Sequence, residues 1–239
     1  LGLKPKVLFV EKPLSHNLKN LKLLEKICRD KKLKTMVGCN MRFHPCLEFI
    51  KKYIDGKKLG KIYSIRHELG YYLPYWRPAQ DYRKNYAAKK STGGGIILDD
   101  VHEYDLLFWL NNFDKVIKSR IIFNRASDLK IETEDQAAAI FLFENKVLGT
   151  IISDYLQQYY ARKCKVVGEK GALEWDFKEN TVLLKIKDNI KKLFELKDFD
   201  FNQTYIKEVK YFFGCIKDKK RTSNTVEIAG DILKYCVKK

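Results

Sequence analysis

The stretch STGGGIILDDVHEYDLLFWL, residues 91–110, decides how the rest of the chain is interpreted, because it joins three glycines to an apolar run that carries acidic residues and a histidine. Its apolar side chains recur at helical spacing and predict one helix over 96–110. The buried stripe of that helix consists of Ile97, Val101, Tyr104 and Phe108. Asp99 and His102 stand three residues apart, so they neighbour each other on a different face, in a row that Asp105 extends.

Two interpretations of this stretch stay open from its residues alone. The glycines at 93–95 let a ligand or another backbone approach the helix start, whose free N–H groups favour an oxygen-rich ligand. The alternative is structural, with acidic residues that stabilise a helix N-terminus and a histidine hydrogen-bonded to a neighbour. Asp-x-x-His is too short a motif to choose between them.

Towards the N-terminus, the sequence predicts a strand, a helix and a second strand. KVLFVEKP (6–13) and KTMVGCN (34–40) are apolar runs typical of buried strands. Ser15 is the candidate N-cap of the helix between them. The apolar face of that helix consists of Leu18, Leu21, Leu24, Ile27 and Cys28. Parallel strands joined by a helix are typical of α/β domains.

Towards the C-terminus, Pro45 begins an amphipathic helix that ends at Asp55-Gly56, and 71–92 is a long aromatic and basic loop. Strands are predicted at 61–69, 115–123, 134–143, 147–159, 162–168, 171–177 and 180–186, and helices near 203–218 and 225–237. The fold class is therefore an α/β unit over residues 1–40, followed by an α+β domain over 41–239 with a large, mostly antiparallel open sheet packed by helices. Because the helices are too few to cover both faces of that sheet, we expect a homodimer or homotetramer.

The composition narrows the class of protein and of partner. The net charge of +17 comes mostly from lysines spread as pairs, without a dense basic stripe. A solvated lysine-rich surface is the favoured interpretation, an anionic small substrate the next, and nucleic-acid binding the weakest. We therefore expect no nucleic-acid partner.

Neither a membrane span nor a metal centre is predicted. The longest apolar candidate, AAAIFLF (137–143), has the length of a buried strand. The six cysteines are scattered without a Cys-x-x-Cys pair, which disfavours a zinc cluster or a disulfide framework. Free thiols fit a reducing compartment, so we expect a cytoplasmic protein with no membrane partner.

Two further stretches carry side chains suited to chemistry. In EKP (11–13), Lys12 stands at the carboxyl end of a strand, where open α/β sheets place their ligands, and we expect Pro13 to be cis. Lysine, aspartate and histidine together suit alcohol oxidation, in which one group takes the hydroxyl proton and another polarises the oxygen. In YWRP (75–78), Trp76 offers a flat face and Arg77 a fork for phosphate or carboxylate. The alternatives without function are that Lys12 is solvated, that Trp76 serves only in packing and that Arg77 is a surface residue.

In their order, six segments resemble the Gfo/Idh/MocA family of NAD(P)-dependent sugar oxidoreductases, from about residue 5 to the end. The segments are VEKPLSHN, VGCNMRFHP, YWRPAQDYR, GGGIILDDVHEYDLLFWL, VVGEKGALEWD and YIKEVKYFF. The resemblance implies that residues 1–40 are the C-terminal part of a dinucleotide-binding Rossmann domain. It implies that 41–239 form the substrate-binding and oligomerisation domain.

The resemblance also implies a set of site residues. Catalytic roles fall to Lys12, His102 and Asp99. Cofactor contacts fall to Glu11, Lys12, Pro13, Asn40, Trp76, Arg77 and Tyr205. Substrate contacts fall to Lys12, Arg42, Tyr72, Asp99 and His102.

The sequence departs from the family's pattern in two ways. The usual Asp-x-x-x-His is one residue shorter here, which leaves open whether Asp99 or Asp100 faces the substrate. No Gly-x-Gly-x-x-Gly is present, so we expect the pyrophosphate-binding turn to lie upstream of Leu1. We accordingly expect residues 1–239 alone to bind NAD(H) weakly or not at all.

The resemblance implies an oxidoreductase that transfers a hydride between NAD or NADP and a hydroxyl or keto carbon of a sugar. We expect an activated or acylated sugar of surface-carbohydrate synthesis, anionic or nucleotide-linked. The alternative is a non-catalytic dinucleotide-binding sensor or scaffold of the same fold.

Overall fold

The front of the chain is a parallel strand–helix–strand unit. The computed structural model describes residues 5–237. Strands β1 (Val7–Val10) and β2 (Lys34–Val37) pair in parallel and are joined by helix α1 (Leu21–Asp30). The predicted strand–helix–strand order is confirmed.

The predicted cap of α1 was wrong. The helix begins after Asn20, which has a left-handed φ of 60°, and not after Ser15. Ser15 Oγ accepts a hydrogen bond from the Asn17 N–H at 3.3 Å, and Asn17 Oδ1 accepts one from the Lys19 N–H at 2.8 Å. Short polar side chains that bond to nearby backbone stabilise turns in place of helix, and this delays the helix by one turn.

The second helix and the central strand agree with the sequence. A 3-10 turn at Asn40–Phe43 leads into α2 (Pro45–Asp55), whose inward residues Leu47 and Ile50 are fully buried. Strand β3 (Ile62–Gly70) follows. The long segment 71–92 contains one short helix, α3 (Leu73–Trp76). Three 3-10 turns complete it, at Tyr82–Lys84, Tyr86–Ala88 and Lys90–Thr92.

The helix predicted over 96–110 is broken in two. α4 (Ile96–Asp99) and α5 (Val101–Leu110) meet at Asp100, which has φ −88° and ψ 16°. The predicted stripe of α4 and α5 is buried, but Leu106, Leu107 and Leu110 are fully buried as well. α5 is therefore buried on nearly all sides, whereas the sequence predicted a polar face for this helix.

The remaining strands form one eight-stranded sheet with β3. They are β4 (Val116–Asn124), β5 (Gln136–Phe143), β6 (Leu148–Asp154), β7 (Ala161–Gly168), β8 (Gly171–Asp176), β9 (Thr181–Ile186) and β10 (Asn189–Glu195). The order is β10-β9-β8-β7-β3-β6-β5-β4, and β3–β6 is the parallel pair in an otherwise antiparallel sheet. β10 was not predicted, because its lysine-rich NIKKLFE lies at the edge and lacks a clear apolar alternation.

Helices cover one face of this sheet. α6 (Asn202–Lys217) packs near the front unit, while α7 (Val226–Val237) contacts α5. Gly149 of β6 lets α5 approach closely, since a Cβ there would lie 2.8 Å from Leu107. Within residues 5–237 no helix has the length and apolar character to cross a membrane.

The loop before α7 links the strand–helix–strand unit (the front unit) by hydrogen bonds to the part of the chain that contains the eight-stranded sheet (the sheet domain). The Val37 N–H donates to the Asn224 carbonyl at 2.8 Å, and Asn224 Nδ2 donates back to the Val37 carbonyl at 2.9 Å. Thr222 Oγ1 donates to the Thr35 carbonyl at 2.5 Å. These hydrogen bonds pair with the backbone of β2 in the way that a neighbouring strand would. They fix the carboxyl ends of β1 and β2 relative to α4 and α5.

The other face of the sheet carries exposed apolar side chains. They are Ile122 on β4, Ile140 on β5, and Leu148 and Ile152 on β6. Ile152 lies opposite Ala138, which lies opposite Ile122, so these residues form a continuous row across three strands. An apolar row of this kind favours association, and a homodimer or homotetramer remains our prediction.

We predict that Ile152→Lys converts the oligomer to a folded monomer, because a charge at the centre of the row opposes its burial. Light scattering at micromolar protein checks the mass. Ile190→Lys, the same change on the edge strand β10, is the control and should leave the oligomer intact. A monomeric wild-type protein would contradict the prediction.

Candidate active site

The strand-end lysine and the first aspartate of the helix pair lie in contact. Lys12 Nζ donates to the Asp99 carbonyl at 3.0 Å and lies 3.7 Å from Asp99 Oδ1. The Lys12–Pro13 peptide is cis, as predicted. Asp99 ends α4 with its carboxylate towards Lys12, whereas Asp100 is fully buried. Of the two aspartates, it is thus Asp99 that the structure brings to Lys12.

Three tyrosines converge on the Asp99 carboxylate. Tyr71 donates to Oδ2 at 2.7 Å, Tyr155 to Oδ2 at 3.1 Å, and Tyr86 to Oδ1 at 2.5 Å. They come from the end of β3, the end of β6 and a 3-10 turn of the 71–92 segment. Sequence reasoning missed all three, although the aromatic richness of 71–92 pointed to that segment.

These tyrosines stay protonated. Burial raises the pKa of Tyr71, of Tyr86 and of Tyr155 above the usual value, and the negative charge of Asp99 raises each further. A protonated phenol that faces a carboxylate can only donate to it. The three tyrosines therefore supply hydrogen-bond donors to the Asp99 carboxylate, and Lys12 supplies the positive charge beside it.

His102 is partly exposed and lies on α5, near Lys12. Its Nδ1 is buried, and no group among residues 5–237 hydrogen-bonds to it. Burial lowers the pKa of His102 well below its usual value, and the positive charges of Lys12 and Arg162 lower it further. The imidazole is therefore neutral at neutral pH and has a lone pair with which to accept a proton.

Asp100 is a buried acid outside this cluster. Neither carboxyl oxygen has a hydrogen-bond partner in the described part of the chain, and the nearby Ser153 hydroxyl has none either. Burial raises the pKa of Asp100 well above its usual range, and the charge of Glu103 adds to the effect. The side chain is therefore a neutral carboxylic acid in the core.

The carboxyl ends of β1 and β2 present a second group of polar residues. Glu11 packs against Gly38, where an added Cβ would lie 3.2 Å from Glu11 Oε2. Asn40 Nδ2 donates to Thr204 Oγ1 of α6 at 2.8 Å, and half-exposed Tyr205 is its neighbour on that helix. In open α/β sheets, ligands bind at the carboxyl ends of the strands, so these residues stand where the front unit could hold a cofactor.

A buried glutamate completes this edge and was not predicted. Glu208 Oε1 accepts from the Cys39 N–H at 2.5 Å. Burial raises the pKa of Glu208 to about 7, and the charge of Glu11 raises it too, while the bond from Cys39 lowers it. The signal in the sequence was a glutamate on the inner face of a predicted helix, three residues after Tyr205.

The aromatic segment lies over the Asp99 cluster. The ring of Trp76 lies 4.6 Å from that of Tyr71 and stacks at 5.7 Å on that of Tyr160. The Arg77 guanidinium lies over the Tyr86 ring at 5.9 Å. Tyr72 packs edge-on against Tyr75 at 4.8 Å, and no hydrogen bond links it to Asp99 in the described chain.

Arg42 is not brought to this site. Its guanidinium forms a buried two-pronged pair with Asp105, with both bonds at 2.6 Å, and donates to the Ser223 carbonyl at 2.8 Å. Asp105 is thereby removed from the predicted row with Asp99 and His102. The break at Asp100 and the pull of Arg42 turn that side chain into the core.

A second buried ion pair, between Arg162 and Glu103, lies close to His102. Arg162 of β7 donates to both oxygens of Glu103, at 2.5 and 2.8 Å. Its charge is one of the causes that lower the pKa of His102. Sequence reasoning missed it, because the arginine and its glutamate are 59 residues apart.

Among residues 5–237, no group of three or more His, Cys, Asp or Glu side chains is arranged to hold a metal ion.

Comparison with known proteins agrees with the fold and the order of the motifs. Residues 47–174, more than half of the chain, match the model of the GFO/IDH/MocA C-terminal domain. The chain belongs to the Gfo/Idh/MocA family. It is 24% identical over 224 residues to the scyllo-inositol 2-dehydrogenase (NAD(+)) of Bacillus subtilis, which covers 90% of this chain. The chain spans 62% of the length of that relative.

Solved structures of similar fold include two sugar-acting enzymes. An aldose-aldose oxidoreductase from Caulobacter crescentus superposes with a TM-score of 0.80 at 17% identity, over 95% of this chain and 67% of the other. The UDP-N-acetylglucosamine 3-dehydrogenase of Acidithiobacillus ferrooxidans gives a TM-score of 0.75 at 15% identity, over 96% and 68%. At these identities the likeness concerns the fold.

We predict that Asp100→Asn removes a pH-dependent loss of stability. A carboxyl whose folded pKa is raised stabilises the fold most below its unfolded pKa of about 4, and this stability is lost as the pH rises towards the folded value. Urea unfolding should show the variant gaining on the wild type as the pH rises above about 4.

Asp128→Asn, at an exposed aspartate, is the control and should leave the pH profile of the wild type unchanged. Parallel profiles for the wild type and Asp100→Asn would show that Asp100 is not a buried neutral acid.

Proposed function

We propose that the full-length protein is an NAD(P)-dependent dehydrogenase that moves a hydride between its cofactor and a hydroxyl or keto carbon of a sugar or cyclic polyol. The observation that carries this proposal is the contact of the Lys12 ammonium with Asp99, beside a neutral His102. An ammonium near a neutral imidazole forms the pair that alcohol oxidation requires.

In the proposed mechanism, Lys12 donates a hydrogen bond to the reacting oxygen and stabilises the charge that develops on it. His102 accepts the hydroxyl proton in oxidation and returns it in reduction. Asp99 holds Lys12 in place through its carbonyl and carboxylate. Bound NAD(P) would supply the hydride acceptor or donor.

The residues at the ends of β1 and β2 would hold the nicotinamide end of the cofactor. Glu11, Asn40 and Tyr205 lie together there, beside the buried Glu208. NAD is favoured by the name of the inositol dehydrogenase relative, which specifies NAD(+). Trp76 and Arg77 would reach the same cofactor from the sheet domain.

For the substrate we propose a sugar that is activated or acylated, anionic or nucleotide-linked, of the kind used in surface-carbohydrate synthesis. The support is the cationic and aromatic character of the segment over Asp99, with exposed Arg77, Trp76 and Lys89. A likeness to a UDP-N-acetylglucosamine 3-dehydrogenase is consistent with it. A non-catalytic sensor would need no lysine near a neutral histidine, which disfavours that alternative.

We predict that His102→Ala lowers turnover by ~10²–10⁴, the usual contribution of a positioned general base. The KM for NAD should hardly change, because His102 lies on α5 and not at the strand ends. NADH absorbance with scyllo-inositol, myo-inositol and UDP-N-acetylglucosamine measures both quantities. His16→Ala, at an exposed histidine bonded to Asn17, is the matched control.

Two results would count against the proposal. One is near wild-type turnover by a folded His102→Ala variant, which would make the histidine structural. The other is the absence of any hydride transfer by the wild-type, full-length protein with a broad panel of sugars and polyols and with either cofactor.

A further inference from the structure

The carboxylate of Asp99 is occupied mostly by groups of the protein itself. A carboxylate offers about four lone-pair positions for hydrogen bonds. Tyr71 and Tyr155 both donate to Oδ2, while Tyr86 donates to Oδ1, which also lies 3.7 Å from the Lys12 ammonium. Three of the four positions are therefore taken by tyrosines, and because the Asp99 side chain is only 8% exposed, a substrate hydroxyl has little access to the fourth.

The four groups around Asp99 differ in their exposure. Tyr71 is 6% exposed and Tyr155 is fully buried. Tyr86 is 40% exposed, and the side chain of Lys12 is 24% exposed. Lys12 and Tyr86 are therefore the groups of this set that a ligand can reach from solvent, while the other two tyrosines act from within the core.

Tyr86 is held firmly despite its exposure. Its carbonyl accepts from Thr92 Oγ1 at 2.9 Å, and the carbonyl of the next residue, Ala87, accepts from Thr133 Oγ1 at 3.0 Å. Arg77 lies over its ring, and Gly94 passes so close that an added Cβ would lie 2.4 Å from the Tyr86 carbonyl. The hydroxyl is therefore a fixed feature of the site.

We propose that Tyr86 is a substrate-contacting residue, whose oxygen accepts a hydrogen bond from a sugar hydroxyl next to the reacting carbon. Its own proton is committed to Asp99, so only its lone pairs face the ligand. Lys12 has donors and no acceptor, and the two together would hold a pair of neighbouring hydroxyls, one on each group. This inference rests on the proposed function and names the substrate feature that the site selects, a vicinal diol.

Tyr86 takes no part in proton transfer under this proposal. Burial raises its pKa, as does the Asp99 charge, so the phenol is a weak acid that keeps its proton. Its contribution is confined to binding and selection. The proton of the reacting hydroxyl leaves by His102, as proposed above.

Tyr86→Phe keeps the ring under Arg77 and removes the oxygen, so it isolates the contact. In the full-length protein we expect the KM of scyllo-inositol or another turned-over polyol to rise roughly tenfold, the worth of one hydrogen bond. The KM of NAD should stay unchanged. Tyr75→Phe, at an exposed tyrosine of the same segment, is the matched control.

A substrate analogue distinguishes a direct contact between Tyr86 and the substrate from an indirect role in which Tyr86 only supports Asp99. The wild type should discriminate against the deoxy analogue that lacks the neighbouring hydroxyl, and Tyr86→Phe should lose that discrimination. Discrimination that survives in Tyr86→Phe would overturn the proposal, because the tyrosine would then act only by supporting Asp99. Wild-type kinetics in Tyr86→Phe would overturn it as well.

A binding measurement distinguishes failure here from failure of the proposed function. Quenching of the fluorescence of Trp76, which packs against Tyr71, reports sugar binding without hydride transfer. Saturable binding that weakens roughly tenfold in Tyr86→Phe supports the proposal even if no turnover is found. Equal affinity in both proteins overturns it, and no binding of any sugar by the wild type overturns both inferences.

Discussion

The contact between Lys12 and Asp99 is the constraint on which the rest of the structure depends. It joins residues 87 positions apart, the end of β1 and the end of α4. The loop that bonds to β2 through Thr222 and Asn224 supplies a second fastening. With both in place, Lys12 at the end of β1 lies against Asp99 and near His102, so one site contains groups from both parts of the chain.

Buried charge gives that site its electrostatic character. Arg42 pairs with Asp105 and Arg162 with Glu103, so two charged residues of α5 are neutralised inside the core. Loss of one partner of such a pair typically costs ~3–5 kcal/mol, so these residues are held in place. Burial, together with the charges of Lys12 and Arg162, lowers the pKa of His102, and burial together with the charge of Asp99 raises the pKa of each of its three tyrosines.

Local patterns predicted most of the elements but not their interruptions. The helical spacing of residues 96–110 predicted the buried stripe correctly but did not predict the break at Asp100. The break leaves no signal in the spacing, because α4 is one turn long and its apolar residues keep the same periodicity. β10 has the lysines of an edge strand and no alternation to identify it. The start of α1 was mispredicted because Ser15 and Asn17 stabilise turns before the helix, and Ser15 therefore does not cap it.

The candidate site was partly visible in the sequence. The resemblance pointed to Lys12, Asp99 and His102, and the structure brings Lys12 to Asp99. The tyrosines on Asp99 come from three elements, Glu208 from a distant helix, and the partner of Arg42 from α5. Contacts of that kind are set by tertiary packing, and no spacing along the chain encodes them.

A double-mutant cycle on kcat/KM of the full-length protein tests most directly whether Lys12 and Asp99 act as one unit. Lys12→Met, Asp99→Asn and the double variant are compared with the same polyol. We predict that the double variant loses no more than Lys12→Met alone, because Asp99 acts on the reaction through Lys12, and the loss of its charge has no further effect once the ammonium is gone. Losses that multiply, as they do for distant independent residues, would contradict the proposed role of this contact.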